Sequence, residues 1–233
     1  KNMIDTLIKL KKIENLDIAI VGGSNLEKQN EQLGEHNLKL FDYVFSENGL
    51  VAFKNNELFH SQSIINVIGE KSYKILVNIC MEAIIKCDSP KKRGTFIELR
   101  TGMVNISPIG RSCSQEERNE FYQLDLIHKY REEMIKYISN KWKIYQYESE
   151  DEIIDLSFSI GGQISIDIFP EGWDKTYCLK FIKEKYEKYI FFGDKTMKGG
   201  NDYEIFNHSL TIGYTVQNPE DTIQKLNYLF NLT

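Results

Sequence analysis

An α/β core interrupted by an α+β insertion is the fold class this sequence predicts, and three patterns predict it. Hydrophobic strand-like runs alternate with helical periodicity toward both ends of the 233 residues. Between about Phe59 and Gly172 that rhythm gives way to long helices grouped with short paired strands. Strands in both outer parts stop at Gly-Gly-Ser or Gly-Asp, and strand ends of open α/β sheets are where ligands collect. The expected domains are residues 1–58 and 173–233 for the core and 59–172 for the insertion.

Each element has a local reason. Ile4, Leu7, Ile8, Leu10 and Ile13 recur at helical spacing over Met3 to Ile13. Leu16 to Val21 reads as a strand entering Gly22-Gly23-Ser24, followed by a polar helix over Leu26 to Leu33. A strand over Phe41 to Phe45 stops at the turn Ser46-Glu47-Asn48-Gly49, and a hairpin follows around Asn55-Asn56. In the insertion, Lys71 to Cys87 reads as a long amphipathic helix ending before Pro90. Thr95 to Leu99 and Met103 to Ser107 read as strands. Ser114-Gln115-Glu116-Glu117 is a capping box that starts a helix running, with breaks, to about Trp142. Tyr145 to Glu152 is acidic and predicts a loop, before a hairpin around Gly161-Gly162. The α/β rhythm resumes with a helix from about Lys175, strands at Tyr189 and Leu210 to Val216, and a helix from Glu220 to Phe230.

The balance of 29 basic against 34 acidic residues argues against a general nucleic-acid surface. No apolar run approaches a bilayer span and no signal peptide opens the chain, so a cytoplasmic protein is expected. Cys80, Cys87, Cys113 and Cys178 lack CxxC spacing and sit near apolar segments, which suits buried thiols. The four histidines are scattered and suggest no metal cluster.

Five groups could carry chemistry, each beside a plainer reading. Asp194 follows the hydrophobic strand Tyr189-Ile190-Phe191-Phe192, with Asn201-Asp202 a loop away; hard oxygens so placed suit magnesium, or simply a capped loop. Ser24 could offer its hydroxyl to a phosphate at a helix start, or merely cap that helix. Lys175 opposes the dipole at a helix start, so an anionic partner or a solvated surface lysine both fit. Residues 91 to 118 hold six basic side chains against three acids; Arg100, Arg111 and Arg118 among them could converge on one phosphate, or form separate salt bridges. In Gln163-Ile164-Ser165-Ile166-Asp167-Ile168, alternation sets Ser165 and Asp167 opposite the isoleucines, toward sugar hydroxyls or solvent.

The segments Gly22-Gly23-Ser24, Phe41 to Leu50, Lys91 to Glu98, Ser107 to Arg118, Gly161 to Ser165, Pro170 to Lys175 and Phe192 to Met197 together resemble eukaryotic phosphomannomutases of the haloacid dehalogenase superfamily. The match runs in order over nearly the whole chain. The resemblance implies a Rossmann-like core with an inserted α+β cap through which two copies dimerise. It implies an isomerase that interconverts mannose 6-phosphate and mannose 1-phosphate for GDP-mannose synthesis, with Mg2+ and a hexose 1,6-bisphosphate activator. By motif, Asp194 would bind magnesium with Asn201 or Asp202 in support, and Ser24 and Lys175 would hold the transferring phosphoryl group. Arg100, Arg111 and Arg118 would grip the distal phosphate, and Ser165 and Asp167 the sugar. A second cation would sit at the loop of Phe206 and Thr211, where His208 replaces an expected acid.

The family's Asp-x-Asp-Gly-Thr nucleophile motif occurs nowhere in these residues, so the chain as written is expected not to turn over, its nucleophile segment lost by truncation. Lys198 replaces a usual proline, and Tyr145 to Asp155 reads as a cap insertion. Two other functions stay open here: a sugar-phosphate phosphatase of the same fold, and a non-catalytic phosphosugar-binding protein.

Overall fold

A computed structural model describes residues 2–149 and 154–232. The chain forms two compact units, Lys1–Ser61 with Gly172–Thr233, and Gln62–Glu171.

The first unit opens with helix α1 (Asn2–Leu10) and strand β1 (Ala19–Val21), then α2 (Leu26–Leu33), α3 (Glu35–Leu38) and β2 (Tyr43–Ser46). β1 and β2 pair in parallel, as a strand-helix-strand crossover requires, with Val21 opposite Phe45. β3 (Val51–Lys54) and β4 (Glu57–Ser61) continue the sheet antiparallel. Their turn needs Asn55 and Asn56 at positive φ, which asparagine tolerates better than most residues. After residue 172 come a 3-10 turn (Lys175–Phe181), β9 (Tyr189–Gly193), α7 (Tyr203–Phe206), β10 (Thr211–Thr215) and α8 (Pro219–Phe230). β9 and β10 form their own parallel pair. One core joins both sheets: Tyr43, Phe45 and Ala52 pack with Cys178, Leu179, Ile182, Tyr189 and Ile205.

The second unit carries α4 (Ile64–Lys86), β5 (Ile97–Leu99), β6 (Val104–Ile106), α5 (Gln115–His128), α6 (Tyr130–Glu148), β7 (Leu156–Gly161) and β8 (Ser165–Pro170). The four strands form an antiparallel sheet in the order β5-β6-β8-β7. Its rows alternate by face, because side-chain period along a strand is two. Ile97, Ile106, Ile166 and Ile160 stand opposite one another, as do Leu99, Val104, Ile168 and Phe158. The row between them, pointing to the other face, is Glu98, Asn105, Asp167 and Ser159. α4 and α6 pack on the sheet, so it has one apolar and one polar face.

Three local expectations change. α4 begins at Ile64 rather than Lys71, because Ser63 caps it by accepting from the Asn66 N–H and buried Ile64 and Ile68 anchor the first turns. Gly69, at φ 73°, kinks it. The capping box at Ser114 forms as read. α6 runs on to Glu148, so Tyr145 to Glu148 is helix and not loop. Tertiary bonds hold that last turn: Trp142 Nε1 and Gln146 Nε2 both donate to the Ile154 carbonyl, and Tyr145 meets the Ser72 hydroxyl at 3.1 Å. The remainder of the expected insertion includes residues 150–153, which lie outside the described residues. Finally, Lys175 starts a 3-10 turn instead of an α-helix, held by the Tyr177 N–H to the Asp174 carbonyl at 3.0 Å.

Candidate functional site

In the first unit the chain leaves β9 at Gly193 and returns through Asp202, which is 2% exposed. Both carboxylate oxygens of Asp202 are used. Oδ1 accepts from Lys175 Nζ at 2.5 Å, and Oδ2 from the backbone N–H groups of Asp194 at 3.1 Å and Lys195 at 3.0 Å. Glycine at 193 is a packing requirement: a Cβ there would lie 2.7 Å from Asp202 Oδ2. Burial would raise the Asp202 pKa, yet the Lys175 ammonium and the two N–H donors outweigh it and hold the carboxyl below its ordinary range. Asp194 projects beyond the strand end with its carboxylate exposed, and no described residue bonds to it. Asn201 is exposed alongside.

Ser24 is not the cap of α2. Asn25 takes that place, its Oδ1 accepting from the Lys28 N–H at 2.9 Å, and Ser24 stands half-buried one residue earlier. The turn at the end of β2 ties Ser24 to the Lys175 segment. The Glu47 N–H donates to the Ser24 carbonyl at 2.9 Å, the Asn48 N–H to the Gly22 carbonyl at 2.8 Å, and Asn48 Nδ2 to the Trp173 carbonyl at 3.1 Å. Glu47 and Asn48 adopt positive φ of 48° and 63°, a conformation costing non-glycine residues roughly 1–3 kcal/mol. Sequence reasoning saw this only as a turn. Its position at the carboxyl end of a parallel strand was the available signal.

The residues expected to hold a divalent cation fit in part. Among the described residues no three His, Cys, Asp or Glu side chains converge. Magnesium commonly takes one or two carboxylates and completes its shell with water and phosphate, so exposed Asp194 fits as one ligand. Asp202, with its oxygens committed, anchors the loop that presents Asp194. At the expected second site, the Thr211 hydroxyl donates to the carbonyls of Ile205 and His208, and the Phe206 ring packs on Gly213.

In the second unit Arg100 and Arg111 gather along the polar sheet row. Glu98 Oε2 accepts from Arg100 Nε at 2.9 Å and Nη2 at 2.7 Å, and lies 3.4 Å from Arg111 Nε. Arg111 Nη1 donates to Asn105 Oδ1 at 2.8 Å, and Asn105 Nδ2 donates to Asp167 Oδ1 at 2.5 Å. Arg118 Nη2 donates to the Arg111 carbonyl at 2.9 Å. Backbone bonds from Arg93 to Ile109 and from Arg111 to Thr95 clasp the turn that carries Arg111. That turn passes so close that a Cβ on Gly110, whose φ is 83°, would lie 2.2 Å from the Gly94 carbonyl oxygen.

Asp167 is half-buried and Ser165 is buried at 6% exposure, where solvation was the plainer expectation. A buried ion pair is tied to the same strand. Arg131 Nε donates to Asp125 Oδ2 at 2.8 Å, while Nη1 reaches the carbonyls of Gly162 at 2.9 Å and Ser165 at 3.3 Å. Glu98, Asn105, Asp125 and Arg131 were not legible as site residues. Only pairing register and packing bring them there.

The chain is similar to known proteins in sequence and in fold. The family model described as eukaryotic phosphomannomutase matches residues 3–232. A phosphomannomutase of Galdieria sulphuraria is 51% identical over 229 residues, covering 98% of this chain and 87% of that protein. Among solved structures, trehalose-6-phosphate phosphatase of Aspergillus fumigatus aligns with a TM-score of 0.59 at 14% identity, over 99% of this chain and 84% of that one. A HAD subclass IIB sugar phosphatase aligns at 0.53 and 16% identity, over 97% of this chain and 83% of that one. At such identities the structural likeness speaks for fold alone: a Rossmann-like α/β core with an inserted α+β unit.

Proposed function

This chain belongs to the eukaryotic phosphomannomutase family, whose reaction interconverts mannose 6-phosphate and mannose 1-phosphate, and we propose that each of its two units supplies one anion grip for that reaction. In the core unit, Lys175 and Ser24 hold the phosphoryl group in transfer. Asp194 offers an oxygen to Mg2+, which when bound would neutralise phosphate charge. Asp202 keeps Lys175 and the Asp194 backbone in place. In the cap unit, Arg100, Arg111 and Arg118 hold the distal phosphate, and Asp167 with Ser165 the sugar.

The observation that carries this reading is the gathering of Arg100 and Arg111 on one carboxylate. Glu98 Oε2 occupies the kind of position a phosphate oxygen would take between two guanidinium groups. A mutase must hold either phosphate of a hexose bisphosphate while the other reacts, which is why a hexose 1,6-bisphosphate activator belongs to the proposal. So do a role in GDP-mannose synthesis and a cytoplasmic location. Exposed Met81 and Ile85, one turn apart on α4, support self-association of the cap unit as a homodimer.

Calorimetric titration of mannose 1-phosphate with Mg2+ tests the binding half. Arg111→Ala should abolish it, and Arg111→Lys should weaken it by ~1–3 kcal/mol, because an ammonium cannot make the bidentate contact. Turnover is tested with an Asp-x-Asp-Gly-Thr strand joined ahead of Lys1. Mannose 6-phosphate should form faster than inorganic phosphate is released. Phosphate release outrunning isomerisation would select a phosphatase, and binding without either would select a non-catalytic binding protein.

A further inference from the structure

Asn105 lies in β6, only 3% exposed, and both ends of its amide are occupied. Its oxygen faces the Arg111 guanidinium at 2.8 Å and its nitrogen faces the Asp167 carboxylate at 2.5 Å. The partners dictate this orientation, since a guanidinium has only donors and an ionised carboxylate only acceptors. The backbone adds a second constraint. Asn105 pairs in register with Glu98 on one side and Asp167 on the other, so the side chains that touch Arg111 occupy neighbouring strands in one row. Asn105 therefore spans the gap between a side chain assigned to phosphate and one assigned to sugar, with no polar atom to spare.

We infer that Asn105 is a positioning residue coupling the Arg111 phosphate grip to the Asp167 sugar grip, so that a sugar phosphate is bound as one unit. The inference rests on the roles of Arg111 and Asp167 proposed above. Aspartate at 105 keeps an acceptor for Arg111 but removes the donor to Asp167 and sets a second carboxylate against it. Leucine, of similar size, strands both partners.

The test is calorimetric titration of the full chain with mannose 1-phosphate and, separately, inorganic phosphate. Asn105→Asp should weaken mannose 1-phosphate by about tenfold or more while leaving inorganic phosphate within about threefold. Asn105→Leu should weaken both. In Asp167→Ser, adding Asn105→Asp should produce no further loss beyond about twofold, because the two act through one bond. Equal loss of both ligands in Asn105→Asp, or losses that multiply in the double variant, overturns the coupling. So does loss of cooperative unfolding in both Asn105 variants, which would make the residue a folding element. An Arg111→Ala variant run alongside separates the two claims: unchanged binding there removes the underlying site assignment, whatever Asn105 does.

Discussion

Lys175 and Asp202 are 27 residues apart in the chain and meet at 2.5 Å, with side-chain exposures of 13% for the lysine and 3% for the aspartate. The same carboxylate receives the backbone N–H groups of Asp194 and Lys195. One buried charge thus sets the position of a cation and of the loop that presents a second carboxylate.

Removing the lysine should be worse than neutralising the acid. Lys175→Ala leaves Asp202 buried without its counter-charge and should cost about 3–5 kcal/mol in urea unfolding. Asp202→Asn keeps an acceptor for the two N–H groups and should cost less. Equal losses in the two variants would contradict an ion pair that dominates the loop.

Acid should expose the same pair. The folded Asp202 pKa is held below its ordinary value of 3.8, so its stabilisation is fully present above that value. It is lost as pH falls through the depressed folded value. Urea midpoints from pH 5 downward should therefore converge between the native protein and Asp202→Asn. A gap that stays constant to the lowest pH would reject the assignment.

Arg131 and Asp125 form the buried pair of the cap unit, at 3% and 7% side-chain exposure. Arg131→Met should destabilise by about 3–5 kcal/mol, and the double variant Asp125→Leu/Arg131→Met should recover part of that loss. Because Arg131 also holds the carbonyls of Gly162 and Ser165, the single variant should weaken mannose 1-phosphate binding even where it remains folded. Thermal melts and titration together check this.

Gly110→Ala should destabilise by roughly 1–3 kcal/mol, since the residue has φ 83° and its new Cβ would press on the Gly94 carbonyl. The displaced turn carries Arg111, so phosphate affinity should fall with stability. A variant of native affinity would show that the turn does not position the arginine.

All four cysteines are free and buried, and burial pushes the Cys80 and Cys178 thiols up to about 12. A disulfide exchange reagent at pH 8 should label neither until the protein unfolds, because the thiolate is the reactive form. Fast labelling of either position in the native state would contradict the packing.

The legibility of this protein divides along a physical line. Short-range chemistry showed in the residues themselves: the Asn55-Asn56 turn, the Ser114 capping box, and alternation that sets Asp167 opposite Ile166 and Ile168. Where expectation and structure part, either a contact beyond the local run or a competing neighbour had intervened. The Ile154 carbonyl kept Tyr145 to Glu148 helical against a polar composition, and Asn25 took the cap from Ser24 through its own bond to Lys28.

By itself the sequence determined the alternation of elements, the fold class and the family, because periodicity, caps and contiguous motifs are properties of neighbours along the chain. Tertiary structure alone decided that Asp202 serves Lys175, that Glu98 gathers Arg100 and Arg111, and that Asn105 joins Arg111 to Asp167. Those pairings depend on strand register and on burial, which raises the cost of an unpartnered charge, and neither is written in any local run of residues.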